Sequence, residues 1–142
     1  MAADSLGWRL PTSLAGQAAV VTGGAQGLGR GIALSLAGNG CSLVAVLDLE
    51  SQRDKGESVV AELSALGCGA ATFVPCDVTS AAAVASAMAS VASQAPSGRL
   101  NIVVANAGRI PPDYSDGIDM ANEAFELTRS IMYSGVFHTL KY

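Results

Sequence analysis

Four short apolar runs alternate along the chain with segments of helical periodicity, and this alternation constrains the fold more than any other feature. The apolar runs occupy 17–22, 42–47, 71–76 and 100–105, and the predicted helices cover 28–36, 53–66, 81–95 and about 120–142. Apolar runs without polar alternation are typical of parallel strands that helices cover on both faces. The sequence therefore predicts an α/β fold with a doubly wound parallel sheet.

The rules of strand connection predict where a ligand would bind. Right-handed crossovers leave few topologies, and the commonest one orders the strands 3-2-1-4. The chain then reverses direction between strands one and four, and ligands bind there, beyond the carboxyl ends of the strands. Pro75 lacks a backbone N–H, so we expect the third strand at an edge of the sheet or Pro75 at a strand end.

A glycine-rich turn follows the first strand. The spacing is Gly23-x3-Gly27-x-Gly29, with Gln26 and Leu28 between the glycines. Such a turn exposes backbone N–H groups, and the helix N-terminus behind it carries about half a positive charge, which suits a pyrophosphate. The spacing differs from the G-x-G-x-x-G fingerprint and from a P-loop, because no Gly-Lys-Ser/Thr follows. Its interpretation therefore depends on the residues that end the other strands.

Asp48 ends the second strand. A carboxylate at this position can accept hydrogen bonds from both hydroxyls of an adenosine ribose, and it repels a 2′-phosphate. Neither Gln26 nor the following Leu49 offers the basic side chain that a 2′-phosphate would require. The sequence therefore favours NAD over NADP, although Asp48 could also simply end a strand on the solvent side.

Small and polar residues follow the third and fourth strands. Asp77 is positioned to accept a hydrogen bond from an adenine amine while Val78 covers the ring, but Asp77 could equally be a turn residue or a helix cap. Asn106, Ala107 and Gly108 permit a close backbone approach to a ligand or a neighbouring strand. The Asn106 amide could instead tie strands together.

Composition excludes several classes of partner. The formal net charge is −4 and the eight Lys and Arg residues are scattered, so a nucleic-acid partner is not expected. The longest apolar stretch, 43–47, is far too short to span a bilayer. Cys41, Cys68 and Cys76 lack metal-ligand spacing, so we expect no metal site and interpret them as reduced core thiols of a cytoplasmic protein. Residues 1–15 are expected to form a polar leader without a secretory signal.

The motifs together resemble the short-chain dehydrogenase/reductase family. The matching segments, in the family's order and spacing, are Thr22 to Gly29, Asp48, Asp77-Val78-Thr79, Asn106-Ala107-Gly108 and Gly135-Val136-Phe137. The resemblance implies an NAD-binding Rossmann-type domain over 16–142 and hydride transfer between a nicotinamide and an alcohol or carbonyl carbon. The family's pattern also supports the NAD preference argued from Asp48.

Three departures from the family concern catalysis. Ala105 replaces the first of two asparagines, and Met132 replaces an asparagine of the catalytic set. The family's catalytic serine and its Tyr-x-x-x-Lys motif have no counterpart here, since Tyr133 is followed four residues later by Phe137. We do not expect His138 to act as a substitute base. We therefore assign no catalytic residue and expect a sheet truncated after the fourth strand and its following helix, without dehydrogenase turnover.

Three interpretations remain open from the sequence. The chain is the amino-terminal half of an NAD-dependent oxidoreductase, or a non-catalytic NAD-binding or interaction module, or a nonfunctional truncation product. The expected partner is a nicotinamide dinucleotide, with an alcohol or carbonyl substrate only if a full-length form exists. An unpaired fourth strand would also permit a homo-oligomer or self-association.

Overall fold

The protein folds around a four-stranded parallel sheet with strand order β3-β2-β1-β4, as the sequence predicts. This computed structural model describes residues 13–110 and 121–142. The strands are β1 (Ala18–Thr22), β2 (Leu43–Asp48), β3 (Ala70–Pro75) and β4 (Ile102–Val104). The predicted leader 1–15 and the predicted loop 109–119 fall mostly outside the described residues.

Helices connect consecutive strands and follow the last one. They are α1 (Gly27–Gly38), α2 (Arg53–Ala65), α3 (Ala81–Gln94), α4 (Asn122–Arg129) and α5 (Gly135–Lys141). A 3-10 turn (Glu50–Gln52) precedes α2, and a π-helical turn (Ser130–Ser134) joins α4 to α5. The long final helix expected from the sequence is therefore present in its described part, with a π-helical interruption.

The two faces of the sheet form two hydrophobic clusters. On one face, Val20 and Leu47 belong to the same cluster as the α3 side chains Val84, Met88 and Val91. On the other face, the cluster joins strand residues to helices α1 and α2. Every residue of β1 is buried, and so is every residue of β2 except its last. Burial of each such Leu or Val side chain contributes about 1.5–3 kcal/mol. The helices that cover both faces of the sheet, as predicted, therefore stabilise it strongly.

Strand β3 lies at the end of the strand order, as its proline predicts. Pro75 is the last residue of β3 and lies opposite Asp48 in the register. The missing N–H therefore falls where the ladder ends. Strand β4 is shorter than the predicted run 100–105, because only Ile102 to Val104 pair with β1.

The fully buried positions of α1 are small residues, Gly29, Ala33 and Ala37. Leu28, the first residue of the predicted helix, is 76% exposed. Ile32, Leu34 and Leu36 are partly buried and pack against the same cluster. Gly31 has no atom within 4 Å of an added Cβ.

Helices α2 and α3 largely follow the sequence pattern. Val59 and Leu63 of α2 are buried, but Leu66, the last residue of the predicted helix 53–66, is 52% exposed because the helix ends before it. Helix α3 begins after Ser80, whose side chain accepts a hydrogen bond from the Ala83 N–H at 3.2 Å. Ser80 is therefore the N-cap that positions the start of α3.

Candidate functional site

A cleft of about 720 Å³ opens at the carboxyl ends of the four strands. All of the predicted cofactor-binding residues except Gly27 line it: Gly23, Gln26, Leu28, Gly29, Asp48, Leu49, Asp77, Val78, Asn106, Ala107 and Gly108. Gly27 is the first residue of α1 and has φ +56°, which glycine adopts without strain. The structure thus brings the predicted residues together, while their contact with a cofactor stays a prediction.

Seven residues line the cleft in addition to the predicted cofactor-binding residues. They are Ser51, Gln52, Cys76, Thr79, Arg109, Leu127 and Ile131. The first five are close sequence neighbours of the predicted turns, so a wider window around each turn would have included them. Leu127 lies in α4 and Ile131 in the π-helical turn, and no local signal indicates that this helical segment reaches the cleft.

The amides of the glycine-rich turn are largely used within the fold. The N–H groups of Gly23 and Gly24 donate to the Leu47 carbonyl at 2.7 and 3.3 Å, and Ala25 N–H donates to Asp48 Oδ2 at 3.1 Å. We expected this turn to expose successive amides, and that is wrong for residues 23–25, because these three bonds fasten them to β2. The amides that remain for an anion are those at the start of α1.

The start of α1 has the features of an anion site. Its N-cap residue is Gln26, whose side chain makes no capping hydrogen bond. Instead, Gln26 Oε1 accepts a hydrogen bond from Lys55 Nζ of α2 at 2.9 Å. Gln26, Leu28 and Gly29 line the cleft, so the positive end of the helix dipole lies beside it. This arrangement suits a pyrophosphate without a lysine in the turn.

Asp48 serves both as a strand end and as an available acceptor. Its Oδ2 accepts from Ala25 N–H and its Oδ1 accepts from Leu49 N–H at 2.8 Å. An ionised carboxylate has about four lone-pair sites, so acceptor capacity for two ribose hydroxyls remains. Asp48 therefore couples the glycine-rich turn to the position where a ribose would bind.

The arginines of α1 and α2 are paired with acidic side chains. Arg30 forms an ion pair with Glu62, and Arg53 forms ion pairs with Glu50 and Glu57. Hydrogen bonds to these carboxylates raise the pKa of both guanidinium groups and lower the pKa of Glu50. Among the described residues that line the cleft, Arg109 is the one basic side chain. Arg109 follows the turn at Asn106, whereas Asp48 and Leu49 follow β2.

Asp77 forms the turn expected in the alternative interpretation. Its Oδ1 accepts from both the N–H and the hydroxyl of Thr79, at 2.9 and 2.8 Å. The same residue lines the cleft, so a structural and a ligand-binding role are compatible. Burial raises the pKa of the adjoining Cys76 thiol, and the charge of Asp77 raises it further. Cys76 therefore presents a neutral thiol to this side of the cleft.

Asn106 ties the first and fourth strands together. Its Nδ2 donates to the carbonyls of Thr22 and Gly23 at 2.9 and 3.2 Å. The Thr22 hydroxyl accepts from the N–H groups of Asn106 and Ala107, both at 3.1 Å. The structural role considered for Asn106 is thus present, and it holds two of the cleft's turns side by side.

The residues that would carry acid–base chemistry are not gathered at the cleft in the described part of the chain. His138 does not line it, and its Nδ1 lies 2.9 Å from the Val78 carbonyl oxygen. Met132 is 55% exposed in the π-helical turn, and Tyr133 is also exposed. Tyr114 lies outside the described residues. Within those residues, no cluster of three acidic, histidine or cysteine side chains could hold a metal, and none of the helices could cross a membrane.

Comparisons with known proteins agree with the fold and the cleft. The sequence profile of the family described as short chain dehydrogenase matches residues 17–142. Secoisolariciresinol dehydrogenase of Forsythia intermedia is 35% identical over 129 residues, which cover 91% of this chain and 44% of that protein. The chain thus spans about half the length of this relative, and it also covers about half of the similar solved structures.

Two solved structures illustrate the similarity. NAD+-bound xylitol dehydrogenase has a TM-score of 0.80 and 30% identity, covering 90% of this chain and 46% of that one. A short chain dehydrogenase from Burkholderia cenocepacia J2315 in complex with NADP has a TM-score of 0.79 and 31% identity, covering 90% and 49%. The fold therefore occurs in similar proteins with either nicotinamide dinucleotide.

Proposed function

Because the chain belongs to the short-chain dehydrogenase/reductase family, we propose that its cleft binds a nicotinamide dinucleotide and prefers NAD to NADP. The observation that carries the proposal is the convergence of four strand ends on one cleft. The uncapped start of α1 would hold the pyrophosphate, Asp48 the adenosine ribose, and Asp77 with Val78 the adenine. The turn at Asn106 would approach the cofactor from the β4 side.

The NAD preference is supported by charge around Asp48. A 2′-phosphate beside this carboxylate would meet a like charge, and the following residue, Leu49, is apolar. Arg30 and Arg53 are already paired with carboxylates. The NADP complex of a similar protein is the competing observation, and a direct comparison of the two ligands decides between them.

For the whole protein we propose hydride transfer between the nicotinamide and an alcohol or carbonyl carbon. The cofactor supplies the hydride chemistry, while the protein must orient it and provide a group that exchanges the hydroxyl proton. These 142 residues contain no Tyr-x-x-x-Lys sequence, and Met132 replaces the expected asparagine. We therefore propose that they form the dinucleotide-binding half and do not turn over by themselves. A cytoplasmic location belongs to the same proposal, since all three cysteines are buried free thiols.

The second candidate is a non-catalytic NAD-binding module, and the same departures favour it. Both candidates require NAD binding, and they differ in whether a longer form of the protein oxidises an alcohol. Intact-mass measurement of the native protein, followed by an assay of that species with NAD and a panel of alcohols, separates them. Turnover supports the oxidoreductase, and NAD affinity without turnover supports the module.

Calorimetric titration with NAD and NADP tests the cofactor proposal directly. We expect NADP to bind at least about tenfold more weakly than NAD, because the 2′-phosphate lies beside Asp48. The Asp48→Asn variant should weaken NAD binding and reduce the difference in affinity between NAD and NADP. Asp54→Asn is the matched control, because Asp54 is an exposed carboxylate in the first turn of α2 and does not line the cleft. Equal affinity for NAD and NADP would contradict the preference, and absence of NAD binding would overturn the function.

A further inference from the structure

Helix α5 contacts one residue of the cleft wall in two ways. The ring nitrogen Nδ1 of His138 lies 2.9 Å from the carbonyl oxygen of Val78. One helical turn earlier, Gly135 is buried against the Val78 side chain, and an added Cβ would lie 2.7 Å from Val78 Cγ2. Helix α5 therefore contacts both the backbone and the side chain of Val78, which lies in the connection between β3 and α3.

The Val78 side chain is buried in the hydrophobic cluster that includes α3, but the other hydrogen bonds of its loop are mostly local. Asp77 bonds to Thr79, and the Ser80 N–H donates to the Asp77 carbonyl at 3.0 Å. The Cys76 N–H donates to the Asp48 carbonyl at 2.8 Å, which anchors only the start of the loop. Among the described residues, His138 provides the hydrogen bond that ties the middle of the loop to another part of the fold.

We propose that His138 is a positioning residue for the adenine side of the dinucleotide site. Its Nδ1–H donates to the Val78 carbonyl and holds Val78, which lines the cleft, in place against the ligand. This inference rests on the proposed function, since it assigns Val78 to the adenine half of the cofactor. His138 itself does not line the cleft, so it acts through Val78 and not on the ligand.

The hydrogen bond specifies a protonation pattern. A carbonyl oxygen only accepts, so Nδ1 must carry a proton, and the neutral ring must be the Nδ1–H tautomer. A histidine that merely fills space between α5 and the loop would carry no such requirement. The tautomer is therefore a signature that separates a positioning role from simple packing.

Nuclear magnetic resonance reads this signature without ambiguity, because the chain contains a single histidine. In a ¹⁵N-labelled sample at about pH 9, where an ordinary imidazole is neutral, the long-range correlation spectrum should show the proton on Nδ1. A neutral ring protonated on Nε2 would overturn the proposal, because Nδ1 would then have no proton to donate.

Ligand titration tests the consequence for binding. We expect His138→Leu to lower the affinity for NAD and for ADP-ribose by the same factor, about three- to tenfold. The factor is the same because both ligands contain the adenosine half. His138→Asn should restore most of the affinity, since its Nδ2 can donate from the position of Nδ1. Leu140→Ala is the control on the same helix, where Leu140 is exposed, and it should bind both ligands like the wild-type chain.

The possible results distinguish this inference from the proposed function. If the wild-type chain binds NAD and ADP-ribose and the His138→Leu variant binds them equally well, the positioning role is wrong but the proposed function stands. An Asn variant as weak as the Leu variant, with an unaltered melting temperature, leads to the same conclusion. Absence of NAD and ADP-ribose binding by the wild-type chain overturns both the function and this inference.

Discussion

The Thr22 hydroxyl links three backbone groups at the last residue of β1. It accepts hydrogen bonds from the N–H groups of Asn106 and Ala107 and donates to the Val104 carbonyl at 3.3 Å. The residue is 1% exposed, so water cannot replace these partners. This one side chain therefore fixes the distance between the glycine-rich turn and the turn that follows β4, which are two walls of the cleft.

We predict that Thr22→Val destabilises the protein although the shapes of the two side chains match. The substitution leaves the Ala107 N–H without its partner, while the Asn106 N–H keeps its hydrogen bond to the Val104 carbonyl. A buried unsatisfied group costs about 1–3 kcal/mol. Urea unfolding measures the loss. Thr72→Val is the control, because Thr72 is half-buried in β3 and its hydroxyl makes no hydrogen bond with the described residues. Equal losses of unfolding free energy for the two variants would show that the hydrogen bonds of the Thr22 hydroxyl do not stabilise the protein.

At the scale of the element, α1 approaches the sheet through small residues. Gly29, Ala33 and Ala37 are its buried positions, and they recur every four residues. An added Cβ at Gly29 would collide with the Gly23 carbonyl oxygen and with Asn106 Nδ2. The absence of a side chain at Gly29 thus sets how closely the start of α1 lies to the turn, and hence where its free amides point.

Two alanine substitutions in α1 should have opposite effects. Gly29→Ala must push the helix start away from the turn, and we expect it to destabilise the protein by about 1–3 kcal/mol and to weaken NAD binding. Gly31→Ala, two residues later, meets no atom within 4 Å and should stabilise the helix by about 0.5–1 kcal/mol. Thermal unfolding and calorimetric titration of the pair measure both effects. Stabilisation by both substitutions would contradict the close approach at Gly29.

At the scale of the whole molecule, the described sheet ends at β4. This strand pairs with β1, and its residues Ile102, Val103 and Val104 are only half-buried. Exposed apolar side chains also occur along the final helices, at Phe125, Leu127, Met132, Tyr133, Phe137 and Leu140. Apolar edge strands offer unpaired backbone groups to other chains.

We predict that the 142-residue chain on its own self-associates through the β4 edge. Ile102→Lys should lower the association measured by sedimentation at rising concentration, because lysine at an edge strand disfavours pairing. A substitution that only destabilised the fold would increase association. A decrease in association would therefore identify the β4 edge as the contact between chains. Leu66→Lys, at an exposed position after α2, is the control and should leave association unchanged. A wild-type chain that stays monomeric with a sharp, reversible melt would contradict the prediction.

The fold class, the strand order and the strand-end residues that line the cleft were predictable from the sequence. Apolar runs and helical periodicity are local signals, and the right-handed crossover rule converts their order into the arrangement 3-2-1-4. The carboxyl ends of parallel strands then meet at one edge of the sheet. This is why Gly23, Asp48, Asp77 and Asn106 could be assigned to a common site before any coordinates. Family resemblance supported the expectation that the ligand is a nicotinamide dinucleotide.

Only the tertiary structure decided which atoms perform each task. The amides of Gly23 and Gly24 turn inward to Leu47, Gly29 and not Gly31 sets the approach of α1, and His138 reaches Val78 from sixty residues away. The approach of Leu127 and Ile131 to the cleft is of the same kind. Each depends on how two elements distant in sequence approach one another, and packing sets that distance to a fraction of an ångström. Local pattern determined the elements of this protein, and their packing determined its contacts.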